Sequence, residues 1–400
     1  MNNTRAVNKY ITYFALFVII NWGALHSYVL VSSGSGYIIL FITLFAVLNE
    51  LKYSSFISNI LKKPYVYLFL WIVYSLVNTF YINTYQANTS ALSFVFSVVL
   101  PFFVILIISN KRYDFLELIN LFILAFFLRI ILSLVFDSFT DNTTDDVLRL
   151  GDNYNANEIA FGAYFLVVLI GLKNLVTNRL TKISYLQIGL ALLTIGLTSS
   201  RKTFLAVGII LIGYIYLNRS SNIVKRYFKY FISLSFILFV SVTFIANTNV
   251  GKRISGGYTR TIEAESTETM FDSRMGQYVL AIDVVKEDPI TGIGLYNFAY
   301  LLRDGRTAHS EYIVQFVECG IIGVILIFLF YRSLFLGLLT KRHNNIKDRR
   351  ISEFFIFFLL SALFIMLGSW MYNRDIYWVI IGLLIKYIEY KPALMGKLIK

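Results

Sequence analysis

The chain has 400 residues, of which 57% are hydrophobic and only 15% charged, whereas a soluble domain carries roughly 25% charged residues. Its net charge of +13 does not point to nucleic acid, because the basic residues punctuate apolar segments instead of gathering on one stripe or tail. A single cysteine, Cys319, excludes an intrachain disulfide framework and leaves too little sulfur for a zinc or iron–sulfur site.

Taken in chain order, the apolar runs predict helical spans near 11–31, 36–50, 65–83, 91–109, 115–136, 157–172, 183–200, 203–218, 230–247, 312–336, 352–371 and 376–390, about 12 in all. Residues 11–31, 88–110 and 230–251 contain no Asp, Glu, Lys or Arg. Each is long enough to cross a hydrocarbon core of about 30 Å. The first run follows Arg5 and Lys9 as a signal sequence would, but it is long and no small-residue cleavage site precedes the next run. It reads as a retained first span. Basic residues fall in alternate connections, among them Lys62, Lys63, Lys111, Arg112, Arg179, Lys182, Arg226 and the cluster Lys341, Arg342, Lys347, Arg349, Arg350. Basic loops stay in the cytoplasm, so this pattern predicts an all-α polytopic membrane protein with both termini cytoplasmic. Residues 1–400 form one membrane domain, without internal repeats or a soluble domain.

Two outward connections exceed ordinary loop length, an acidic one near 137–156 and a larger extracytoplasmic one over 248–311. Within the larger, Met275, Tyr278, Val279, Ile282 and Val285 recur at helical spacing, which predicts a short amphipathic helix resting on the membrane surface. Asp288-Pro289 and the TGIG turn end it.

A few charged residues break the pattern. Arg201 and Lys202, in the SSRKT turn, lie on the outer side against the general bias. Either they snorkel to lipid phosphates or they form a cationic pocket for an anionic head group. Arg274 follows Asp272 and Ser273 at the start of the loop helix, where free backbone N–H groups favour an anion; the alternative is a solvated loop arginine. Arg129 lies deep in the fifth span and requires a polar interior or a partner. His309 precedes the tenth span, and its near-neutral titration suits it to take a proton from a hydroxyl, although a lone histidine is more often structural. Glu311 and Glu318, seven residues apart, share a face of that helix; an ion pair and a catalytic role are both open. There is no Walker loop, HExxH, CxxC or G-x-S-x-G elbow, and TGIGLYN lacks the third glycine and βαβ setting of a dinucleotide fingerprint. The acidic outer loop has no D-x-D spacing, so no metal and no cofactor is expected.

In order along the chain, RLGDNYNANE around Arg149 and Asn157, the SSRKT turn, DSRMGQYVLA, EDPITGIGLYNF and HSEYIVQFVECGIIG resemble motifs of the bacterial O-antigen polymerase and ligase family. Ala156 stands where that family commonly has proline, and Ser310 where it has asparagine after the histidine. The resemblance implies a GT-C-like membrane fold and a metal-independent, inverting glycosyl transfer from an undecaprenyl-pyrophosphate-linked glycan on the outer face of the bacterial cytoplasmic (inner) membrane. His309 would act as the base, with Arg274 beside it. Arg201, Lys202, Arg149 and Arg374 would hold pyrophosphate, supported by Arg129, Glu311, Glu318 and Asn157. Polymerisation of repeat units into O-antigen or capsular polysaccharide is the first expectation, with a chain-length regulator and a flippase as partners beside the lipid bilayer. Ligation of finished polymer to lipid A core or another acceptor, and flipping of the lipid-linked oligosaccharide, are the alternatives.

Overall fold

The computed structural model describes residues 2–28, 41–48, 62, 64–82, 99–110, 112–137, 139–142, 147–150, 156–198, 200–217, 274–301, 310–369 and 375–389. The predicted span at 230–247 lies outside them, as do residues 36–40 and 49–50 of the second span and 91–98 of the fourth. The described helices are α1 (Asn2–Tyr28), α2 (residues 41–48), α3 (Tyr65–Ile82), α4 (Leu100–Ser109), α5 (Phe115–Phe136), α6 (Ala156–Thr177), α7 (Lys182–Leu197), α8 (Arg201–Leu217), α9 (Arg274–Glu287), α10 (Asn297–Leu301), α11 (Glu311–Arg342), α12 (Ile346–Met366) and α13 (Asp375–Glu389). α3, α5, α6 and α11 are each long and apolar enough to cross a membrane.

Helix starts follow local chemistry. The Asp114 carboxylate accepts from the backbone N–H groups of Leu116 and Glu117 at the head of α5, Thr181 caps α7 through Ser184 N–H, and Asn345 caps α12 through Asp348 N–H. Asn345 starts α12 earlier than the apolar pattern alone would, so the helix begins within the basic cluster instead of at residue 352.

α6 and α13 are buried around much of their circumference, as helices apolar on all sides should be. α13 packs chiefly on α4 and also meets α11, α5 and α6; α6 packs on α5, α7, α8 and α12. α8 and α12 close tightly because Gly213 leaves room for the Phe357 ring: a Cβ there would stand 2.4 Å from it.

Hydrogen bonds and ion pairs sort the bundle into two ends. At the basic end, Lys9 pairs with Glu117 at 2.5 Å, Arg342 and Arg349 share Glu353, Lys386 donates to Asn110 O, and Tyr387 donates to Asp348 O. At the opposite end lie the contacts of Asn78, Asn157, Ser200, Thr291 and Gly368. Lys9, Glu117, Asn110, Lys386 and Asp348 thus gather at the end that holds the basic cluster.

Two features depart from the uninterrupted all-α expectation. The acidic connection holds an antiparallel hairpin of β1 (Phe139–Asn142) and β2 (Val147–Leu150), with Phe139 opposite Leu150 and Thr140 opposite Arg149. Chain leaving the helical core needs partners for its backbone groups, and these short segments pair with each other. The second departure is in α11, which reads in sequence as one continuous span. At Gly320 its backbone turns to φ 58°, ψ −168°, and the helix breaks.

Arg129 shows what the interior demands of a charge. Its side chain is nearly buried, lies against Gly162, donates to Ile20 O at 2.7 Å and stands 3.7 Å from the Glu158 carboxylate. α1, α5 and α6 are thus tied by one guanidinium. Arg129→Met strands a buried carboxylate and is expected to cost about 3 kcal/mol, read as a lower unfolding temperature in detergent. Adding Glu158→Leu should recover much of that loss. A double variant no more stable than Arg129→Met would refute the pairing.

Candidate active site at the loop end of the bundle

Two polar seams meet at the end of the bundle opposite the basic cluster. The first lies between α6, α8 and α12. Ser200 caps the approach to α8, donating to Asn157 Oδ1 at 3.2 Å and hydrogen-bonding the Thr203 hydroxyl. Arg201 opens α8 and is exposed, while Lys202 folds inward. The Lys202 ammonium donates to Gly368 O at 2.5 Å and to Ser369 Oγ, just past the end of α12, and lies over the Phe161 ring. Adjacent cations in the sequence thus have different surroundings: Arg201 faces outward and Lys202 anchors α8 to α12. Lys202→Met is expected to cost about 2 kcal/mol, the scale of hydrogen bonds to a charged group. A rise in the KM for a lipid-linked donor beyond what this loss of stability explains would show that Lys202 serves the phosphate as well as the anchor.

The second seam lies between α3 and the outer part of α11. Glu311, Gln315 and Glu318 are all buried on one face, with Gln315 placed to donate to Glu311 and accepting from Trp71 Nε1 at 3.2 Å. Polar groups so placed in an apolar helix need an interior to face. Tyr312 joins the two seams, its hydroxyl donating to Leu363 O of α12 at 2.8 Å.

The break in α11 is filled by the strap Pro289–Gly294, which follows α9. Ile293 and Gly294 donate their N–H groups to the carbonyls of Val317 and Glu318 at 3.0 and 2.9 Å; Ile321 and Ile322 donate to those of Pro289 and Ile290 at 3.0 and 3.4 Å. Backbone groups freed by the break thereby find partners, as an apolar surrounding requires. Gly292 and Gly320 both have positive φ, and their backbones touch: a Cβ on Gly292 would stand 2.5 Å from Gly320 N. The two glycines of TGIG therefore serve a backbone junction as well as a turn.

The loop helix predicted near 275–286 occupies Arg274–Glu287. Gln277, Ala281 and Val284 form its buried face, and α9 packs on α11. Val279 and Ile282, from the apolar set read in sequence, are exposed on the other side. The helix is apolar on two faces, one for protein and one turned outward.

Among the predicted site residues, Arg201, Lys202, Asn157, Glu311 and Glu318 lie at these seams. Arg129 sits deeper and reaches Glu158, the residue after Asn157. Arg274 begins α9, and Arg149 is paired in the hairpin. His309 and Arg374 lie outside the described residues; Ser310, next to His309, is buried at the head of α11. Phe161, Gln315, Ser369 and the α3 side chains Trp71, Tyr74, Asn78 and Thr79 were missed in sequence. Neutral polar residues within an apolar helix were the available signal. Among the described residues, no three His, Cys, Asp or Glu side chains gather as a metal site would require.

The fold defines a multi-pass helical membrane protein whose polar residues collect where a long loop is knitted into a broken helix. Residues 187–328 match the family model described as O-antigen ligase, which supports the resemblance of the sequence motifs to the O-antigen polymerase and ligase family. The match runs from α7 through α8, α9, the strap and the break in α11. It includes Arg201, Lys202, Arg274, His309, Glu311 and Glu318. No curated protein matches the chain.

Proposed function

We propose that the protein is a polymerase, joining undecaprenyl-pyrophosphate-linked oligosaccharide repeats into O-antigen or capsular polysaccharide on the outer face of the bacterial cytoplasmic membrane. The observation that supports transfer from a lipid-linked glycan, by polymerase and ligase alike, is the family match across the loop helix and the strap, the same elements that build the loop end of the bundle. In this proposal about twelve spans form a GT-C-like frame with both termini in the cytoplasm, and residues 248–311 form the outer loop that closes over the sugars.

The hydroxyl of an incoming lipid-linked repeat attacks the anomeric carbon of the growing chain's reducing-end sugar, from the side opposite the departing pyrophosphate, so the configuration inverts. A C–O bond to the acceptor forms as the C–O bond to the diphosphate breaks. His309 takes the hydroxyl proton or orients that hydroxyl. Arg274 and Arg201, with Lys202, Arg149 and Arg374, offset charge on the diphosphate as it leaves, a role in which cationic clamps are effective inside a water-poor site. Such neutralisation dispenses with a metal. A chain-length regulator and a flippase are the partners proposed for this reaction.

Ligation is the second reading, favoured by the description of the matching family. It uses the same donor and a different acceptor. Deleting the gene in its source cell separates the readings: a polymerase leaves single repeats on their acceptor, a ligase leaves long unattached polymer, and a flippase leaves untranslocated precursor. Either of the latter two outcomes overturns polymerisation.

A further inference from the structure

The polar stripe on α3 faces the junction between strap and broken helix, and the reaction scheme gives it no part. Tyr74 Oη lies 3.0 Å from both Thr291 O and Cys319 O, so a single hydroxyl proton is shared between strap and helix. Asn78 Nδ2 donates to Thr291 O at 2.8 Å and to Glu318 O at 3.4 Å, again spanning both. The Thr79 hydroxyl accepts from Leu295 N–H at 3.1 Å while donating to Ser75 O at 2.7 Å. From the head of α10, Asn297 Nδ2 donates to Ile293 O of the strap at 2.6 Å. Neighbouring polar side chains of one helix thus grip backbone carbonyls and an amide of two segments that do not adjoin in the chain.

These bonds lie where the broken helix is least able to hold itself. The outer part of α11, from Glu311 to the break, meets the rest of that helix at Gly320, where the backbone leaves helical φ/ψ. That part starts two residues after His309 and carries Glu311, Gln315 and Glu318 on its buried face. The strap in turn leads back to α9, which begins at Arg274. Whatever fixes strap and helix to each other fixes the two pieces of chain that bear the proposed base and the proposed arginine.

We propose that Tyr74, Asn78 and Thr79 are positioning residues of the transfer site: they lock the strap into the break of α11 and so set the segment after His309 against the loop helix headed by Arg274. They touch neither sugar nor pyrophosphate. The inference rests on the reaction proposed above, and its effect belongs to turnover, because misplacement of about 1 Å between reacting groups costs up to about 100-fold in rate.

The test uses full-length protein in nanodiscs with a synthetic lipid-linked repeat, comparing wild type, Tyr74→Phe, Thr79→Val and Thr79→Ser. Tyr74→Phe and Thr79→Val are expected to lower kcat by about 10- to 100-fold, with donor KM within about twofold of wild type and unfolding temperature retained. Thr79→Ser, which keeps the hydroxyl, is expected to restore turnover. In parallel, hydrogen exchange at the amides of Ile293, Gly294, Ile321 and Ile322 should quicken in the first two variants and not in Thr79→Ser. A loosened strap with wild-type kcat overturns the positioning role. Unchanged exchange in Tyr74→Phe and Thr79→Val overturns the lock itself. Equal loss of kcat and unfolding temperature in all three variants reduces the stripe to a structural one and also overturns the proposal. A wild-type preparation that transfers nothing from the lipid-linked donor, with exchange responding as described, overturns the reaction and not the lock.

Discussion

Gly320→Ala is expected to destabilise the protein by about 4 kcal/mol or more and to abolish sugar transfer. Two costs combine. At φ 58° and ψ −168° the residue occupies a region that essentially only glycine enters, and a side chain there costs about 1–3 kcal/mol in backbone strain alone. The added Cβ would also stand 2.3 Å from Ile290 O and 2.5 Å from Ile290 C, atoms of the strap backbone that cannot move aside without breaking its bonds to α11. Gly292→Ala meets the same junction from the other side and should behave alike. Gly208→Ala is the control, because a Cβ there meets nothing within 4 Å and the helix interior favours alanine by roughly 0.5–1 kcal/mol. Thermal unfolding in detergent reads all three, and a Gly320→Ala protein as stable as Gly208→Ala would refute the junction.

The second large effect is on chemistry and should leave the fold intact. His309→Ala is expected to slow chain growth by about 100- to 10,000-fold, the usual weight of a general base. For Arg274→Ala the expected loss is about 100- to 1,000-fold, the range for removing one group that stabilises developing negative charge. Arg274→Lys should recover part of that, since it keeps the charge and loses the planar fork that matches phosphate oxygens. Product length on a gel, followed over time with purified protein and a lipid-linked repeat, reads both. Growth at the wild-type rate by a folded His309→Ala protein would remove the histidine from the reaction, and the same outcome for Arg274→Ala would return that residue to the solvated-loop reading.

Much of the architecture was legible because its signals are strong and local. Long apolar runs marked where α3, α5, α6 and α11 lie, and Lys9 meets Glu117 and Lys386 meets Asn110 at one end of the bundle. The demand of buried Arg129 for a partner was equally legible; its answer, Glu158, lay 29 residues ahead and needed the packing of α5 on α6 to appear. Glu311 and Glu318 share a face as their spacing implied. What stayed hidden was non-local. Nothing in the run ECGIIG marks a break, because glycine occurs freely inside membrane helices, and the groups that satisfy the break come from residues 289–294. Tyr74, Asn78 and Thr79 look in sequence like unremarkable members of an apolar span. Their role depends on backbone atoms more than 200 positions away.

The break in α11 also changes how charge is distributed along that helix. An unbroken helix has one macrodipole, but two segments have two, which puts a partial negative end at the carbonyls of Val317, Glu318 and Cys319 and a partial positive end at the amides of Ile321 and Ile322, each worth about half an elementary charge. In carriers with discontinuous helices, such ends face a cavity and hold the travelling ion or solute. Here the strap amides of Ile293 and Gly294, with Tyr74 and Asn78, meet the negative end, and the carbonyls of Pro289 and Ile290 meet the positive one. The protein's own loop takes the place of cargo. A helix whose exposed poles are cancelled by covalently attached chain has no cargo to release there, which suits a stationary catalyst better than a machine of alternating access.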